Sequence, residues 1–212
     1  MMEFIKQPMA IEHRSMELIA PYLAGLSLSE AEKKVYSRII HAAGDVEYAP
    51  IIRISETAVA AGIAALRGGA DIYTDVEMVR TGINKRKLAS FGGTVHCRIA
   101  DPDIAARAKA QGVTRSLMAM RSFGAELTGS VIAIGNAPTA LFEVLRLVRE
   151  EGVRPACIVG IPVGFVGAAD SKKELAENGL VPYITVEGTK GGSPIAAAAV
   201  NAMLYEIDDG RD

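Results

Sequence analysis

The stretch Gly129-Ser130-Val131-Ile132-Ala133-Ile134-Gly135-Asn136-Ala137-Pro138-Thr139 decides the fold. Its apolar residues run without interruption between two glycines, and a proline follows shortly after the second. A strand wetted on one face would alternate apolar with polar positions, so an unbroken run predicts a strand covered on both faces. Leu141, Val144, Leu145 and Val148 then recur at the i, i+3, i+4, i+7 spacing of an amphipathic helix. A buried strand, a turn and a helix in that order form the repeating unit of a parallel sheet.

The unit recurs downstream. Residues 156–160 read as a second buried strand, and Ser171-Lys172-Lys173-Glu174 as the capping box of a helix closed by Gly179. Residues 182–186 form a further strand. Ser193-Pro194 opens a last helix with Ile195, Ala198, Ala199, Ala202 and Met203 facing inward.

Upstream, residues 93–99 have the β-branched content of a strand, and residues 70–73 form a short one. Helices are expected over 57–67, from Asp75 to near Gly82, from Pro102 to about Gln111, and over 114–124, with Arg53 just before the first of these. The first 45 residues read as two helices. On the first, Ile11, Ser15, Leu18, Ile19 and Tyr22 share one stripe. A capping box in Ser27-Leu28-Ser29-Glu30 announces the second, which Gly44 stops. Right-handed crossovers then give an α/β fold: a three-layer α/β/α sandwich on a mainly parallel sheet of about five strands. With no internal repeat or linker in view, residues 1–212 are expected to form one domain.

Composition narrows the function. Half the residues are hydrophobic, with few aromatics and no Trp, so the core is built from Ala, Val, Ile and Leu. A net charge of −2 supplies no field to draw nucleic acid or an anionic membrane. No apolar tract reaches the length of a membrane span, and no segment combines the features of a signal peptide. A soluble, cytoplasmic chain is expected. Cys97 and Cys157 lie in apolar runs without Cys-x-x-Cys spacing and read as buried free thiols.

Ligands of open α/β sheets bind beyond the carboxyl ends of the strands. Three Gly- and Pro-rich segments fall there: 135–139, 160–167 and 187–193. None carries a dinucleotide fingerprint or a P-loop ending. Each, taken alone, is equally a tight turn. His41, in Arg38-Ile39-Ile40-His41-Ala42-Ala43-Gly44-Asp45, is the leading candidate for proton chemistry because an imidazole titrates near neutrality. A structural helix-end histidine remains the alternative. His13 lies near the N-terminus and His96 mid-strand, and the three histidines have no metal-ligand spacing with one another or with the cysteines. Arg115 and Arg121 follow Thr114, and arginine holds carboxylates through paired hydrogen bonds. Lys85-Arg86-Lys87 reads as a solvated basic run. On residues alone, the chain is an α/β protein that binds a small ligand.

Several of these stretches together resemble the precorrin-8X methylmutase family, including its cobalt-precorrin-8 branch. They are residues 39–45, 75–79, 114–116 and 129–142, then 160–172, containing Gly160-Ile161-Pro162-Val163-Gly164-Phe165-Val166-Gly167, and finally 188–194. They occur in the family's order and span nearly the whole chain. The resemblance implies migration of a methyl group from C11 to C12 of a contracted tetrapyrrole, giving hydrogenobyrinate or, with cobalt present, cobyrinate. It implies no cofactor, no metal bound by the protein, and a homodimer with the macrocycle in a cleft close to the subunit interface. His41 matches the catalytic histidine. Arg115 would hold a peripheral carboxylate, and Ser15, Thr81, Asn136 and Lys190 would approach the substrate. Lys190 is equally an exposed turn lysine, and Arg121 departs from the family pattern. A noncatalytic tetrapyrrole-binding protein and a nucleotide-dependent α/β enzyme are the competing functions.

Overall fold

A computed structural model describes residues 6–207. Six strands form one sheet: β1 (Ile52–Ile54), β2 (Ile72–Thr74), β3 (Val95–His96), β4 (Val131–Ile134), β5 (Cys157–Gly160) and β6 (Tyr183–Val186). Their order across the sheet is β1-β6-β5-β4-β2-β3. All neighbours are parallel except β1, which runs antiparallel to β6 with Ile52 opposite Val186. The sixth strand, β1, was not foreseen. Arg53 lies within it, just ahead of the helix that starts at Ala58 as expected, and the charged side chain suits an outer edge.

Alternation along the strands sorts the core into two layers, since successive side chains point to opposite faces. Val131, Ala133, Cys157, Val159, Ile184 and Val186 face one side. They meet α2 (Glu30–Ala43), α3 (Ala58–Arg67), α4 (Glu77–Gly82) and α10 (Ser193–Tyr205). Ile132, Ile134 and Ile158 face the other, against α7 (Arg115–Phe123), α8 (Pro138–Glu150) and α9 (Ala168–Glu177). The α/β/α sandwich is therefore present, with α6 (Pro102–Gln111) packed outside α7, and the basic run 85–87 forms the first turn of α5 (Lys85–Ser90).

Helix α10 is buried nearly all round, and its alanines explain how. Gly82 approaches it so closely that an added Cβ would lie 2.8 Å from the Ala197 Cβ. Small residues on both sides let three helices crowd onto one strip of the sheet.

Three local expectations change. The box opening α2 is formed by Ser29 and Glu32, with reciprocal side chain to backbone bonds, and not by Ser27. Helix α9 starts at Ala168, so Ser171 lies inside it and its hydroxyl donates to the Ala168 carbonyl instead of capping. On α1 (Pro8–Leu23), Ile19 and Leu23 are buried, whereas Ile11, Leu18 and Tyr22 are exposed. The helix rests on α2 through a neighbouring face, which leaves part of the expected stripe uncovered.

Candidate active site

Asp75 organises the carboxyl end of the sheet. It follows β2 directly and is fully buried. Its Oδ1 accepts the main-chain N–H of Gly135 at 3.0 Å, and its Oδ2 those of Asn136 and Ala137 at 2.9 and 2.7 Å. Burial pushes this carboxyl above the usual range, while the three donors pull the other way. The expectation that Asp75 begins a helix is corrected: α4 starts at Glu77, and the carboxylate instead satisfies the free N–H groups entering α8.

The loops after β4, β5 and β6 are pinned together. Ile161 N–H donates to the Ile134 carbonyl, Gly192 N–H to that of Ile161, and Gly164 N–H to that of Thr189. At Gly135 an added Cβ would lie 2.7 Å from both the Ser193 Cα and the Val79 side chain. Only a residue without Cβ lets α4, α10 and the β4 loop converge there.

His41 reaches this end through α2. It lies in the helix's last turn, exposed, and its ring forms no hydrogen bond among the described residues. Gly44 adopts the left-handed conformation, φ 62°, and its N–H returns to the His41 and Ile40 carbonyls. Asp45 follows, and its Oδ2 accepts from the Lys190 ammonium at 2.6 Å; Glu47 accepts from the same group at 2.9 Å. These partners, Asp45 first, hold Lys190 well above the ordinary lysine range, and Lys190 holds the Asp45 carboxyl low. Lys190 is thus neither free nor merely an exposed turn residue.

On the other side, Thr114 caps α7 by accepting the Leu117 N–H at 3.2 Å, and its hydroxyl meets that of Thr139 at 2.7 Å. That contact sets exposed Arg115, which has no ion-pair partner among the described residues, beside the start of α8 and exposed Asn136. Thr81 is exposed on α4, whose Val79 abuts Gly135. Ser15 stands apart: its hydroxyl donates to the Ile11 carbonyl within α1. Its helix is tied to α2 by the Glu12–Arg38 ion pair.

Arg121 is spoken for by a bidentate pair with buried Glu143, at 2.9 Å on each arm, and serves the α7–α8 packing. His96 pairs with Asp71 at 3.0 Å and stacks on Tyr73, while His13 sits on exposed α1 near Glu17. Among the described residues no three His, Cys, Asp or Glu side chains form a metal cluster, and no helix is long and apolar enough to cross a membrane. Sequence reasoning missed the contacts of Asp75 and Asp45. An Asp after a strand reads as a helix cap, and nothing local marks the main-chain donors that it accepts from.

A mainly parallel α/β sandwich with glycine-rich loops at the strands' carboxyl ends belongs to the class of α/β proteins whose ligands customarily bind at that edge. Residues 10–206 match the family model described as precorrin-8X methylmutase, and the chain belongs to that family of isomerases. It is 40% identical over 204 residues to a cobalt-precorrin-8 methylmutase of Priestia megaterium, covering 96% of this chain and 90% of that one. It is 43% identical over 202 residues to a precorrin-8X methylmutase of Sinorhizobium sp, covering 95% and 96% respectively. Its fold matches a crystal structure of precorrin-8x methyl mutase from Thermus thermophilus with a TM-score of 0.85 and 38% identity, covering 93% of this chain and 95% of that one.

Proposed function

We propose that this chain moves the C11 methyl group of precorrin-8X, or of its cobalt form, to C12, with His41 as the group that handles the proton. The observation that carries the proposal is an exposed imidazole, without a ring hydrogen bond among the described residues, on the helix whose closing turn meets Lys190 in the loop after β6, while Arg115 and Asn136 flank the start of the helix after β4. A hydrogen bond or proton delivered from His41 to the ring C region changes the electron demand across the C11–C12 bond. The rearrangement then needs only a held ring shape and that local charge.

Arg115 is assigned to a peripheral carboxylate of the macrocycle, with Ser15, Thr81, Asn136 and Lys190 as further contacts. Lys190 meets a substrate carboxylate only by sharing an ammonium already engaged by Asp45 and Glu47. The chain acts in the cytoplasm as one domain and as a homodimer. In support of the dimer, Ile11, Leu18 and Tyr22 are exposed along α1, and Phe165 and Val166 are 95% and 89% exposed on a loop of the site. Apolar side chains so displayed gain free energy when a second subunit covers them.

The test is incubation of the purified protein with precorrin-8X and, separately, with its cobalt form, following the change to the corrin chromophore by absorbance. Conversion of either supports the proposal. Binding without conversion would leave a carrier; neither binding nor conversion would remove the tetrapyrrole altogether.

A further inference from the structure

Lys172, on α9, is a large side chain almost wholly withdrawn from solvent, 1% exposed. Its ammonium donates to the main-chain carbonyl of Lys190 at 2.5 Å. Among the described residues it forms no ion pair. The cavity of about 540 Å³ that it borders brings Arg53 from β1, Tyr183 from β6, Glu187 from the β6 loop, and Lys173 and Glu177 from α9 itself. Of these charges Arg53 and Glu187 neutralise each other at 2.9 Å. Burial accordingly lowers the Lys172 pKa to about 8. An apolar side chain of similar length would hold α9 on the sheet without desolvating a charge. Stability alone therefore does not account for a lysine here.

The acceptor supplies a reason. Lys190 is held from two directions, its carbonyl by Lys172 and its ammonium by Asp45 and Glu47. Asp45 lies just past Gly44 in the turn that ends the His41 helix, and its N–H returns to the Ile40 carbonyl. Helices α9 and α2 cover opposite faces of the sheet. The chain Lys172–Lys190–Asp45 thus crosses the sheet's carboxyl end and braces one helical layer against the turn beside His41.

We propose that Lys172 is a positioning residue which, through Lys190 and Asp45, sets the placement of the His41 imidazole against the substrate. This rests on the assignment of proton handling to His41. The experiment keeps the two apart by reading both turnover and the His41 ring resonances in NMR, assigned by their loss in His41→Ala. Full-length wild type, Lys172→Met, Lys172→Arg, Asp45→Asn and the Met/Asn double variant are compared.

Lys172→Met is expected to melt no lower than wild type, to lose about ten- to a hundredfold in kcat with little change in KM, and to shift the His41 resonances but not those of His13. Lys172→Arg restores most of the turnover. The double variant is no slower than the slower single, because both substitutions cut the same brace. Wild-type turnover in Lys172→Met, multiplied losses in the double variant, unmoved His41 resonances, or a melting point well below wild type would each overturn the proposal. Should wild type itself leave the macrocycle unchanged, the role of His41 falls, while the resonances still decide whether the brace exists.

Discussion

Asp75 accepts the main-chain N–H of Asn136 at 2.9 Å across the end of the sheet, and that bond fixes which way the β4 loop presents the Asn136 side chain. The same carboxylate accepts from Gly135 and Ala137, so both oxygens are committed. In Asp75→Asn one oxygen becomes an NH₂ that faces a main-chain donor. The variant is expected to lose about 2–4 kcal/mol of stability, read by denaturant unfolding, because a buried donor is left unsatisfied. Wild-type stability in this variant would show that the loop does not depend on the carboxylate.

His41 is exposed and its ring forms no hydrogen bond among the described residues, so its removal has little to undo in the fold. His41→Ala is expected to keep its melting point and its affinity for the corrin product, and to lose about 10²–10⁴-fold in kcat. Titrating the variant with product, beside a turnover assay, checks both halves. Turnover at the wild-type rate would take the proton chemistry away from this residue.

The thiols differ in environment. Cys157 is wholly buried in β5, and burial pushes its pKa up to about 12; Cys97 is partly exposed, and burial raises its pKa as well. The thiolate is the reactive form. A disulfide reagent at mildly alkaline pH is expected to label native protein slowly at Cys97 and not at Cys157, with both reacting after denaturation. Rapid labelling of Cys157 in the native state would contradict the sealed core.

Stability should depend on pH through Lys172. Its folded pKa of about 8 lies below the ordinary 10.5, so within that window the unfolded chain binds more protons at this residue. Stability therefore rises with pH from 8 to 10.5 at this site, and below 8 the folded state bears the full cost of a buried charge. Lys172→Met is expected to be the more stable protein near neutrality, with the gap closing toward pH 10.5. Thermal melts of the two proteins across that range test it. A gap that widens with pH would reverse the sign.

The parallel sandwich was legible because unbroken apolar runs such as 131–134 tolerate no wet face, and helix spacing such as Leu141–Val144–Leu145–Val148 marks its own buried side. Strand β1 escaped notice: three residues carry too short a pattern, and its pairing partner lies more than a hundred residues away. The face of α1 was misjudged because periodicity names a stripe but not the neighbour that covers it. His41 and Arg115 stand out in the sequence as residue types suited to the proposed chemistry, and the roles proposed for them come from the family resemblance.

Local sequence determined the long helices, the buried parallel strands and the glycines at turns, since those depend on contacts and patterns within a few residues. Tertiary structure alone decided that Asp75 feeds the loop of Asn136 and that Lys172 reaches the carbonyl of Lys190. It also decided that Lys190 grips the turn after His41. Each of these bonds joins groups far apart along the chain. A hydrogen bond forms only where folding brings donor and acceptor within about 3 Å, and residue order carries no mark of that distance.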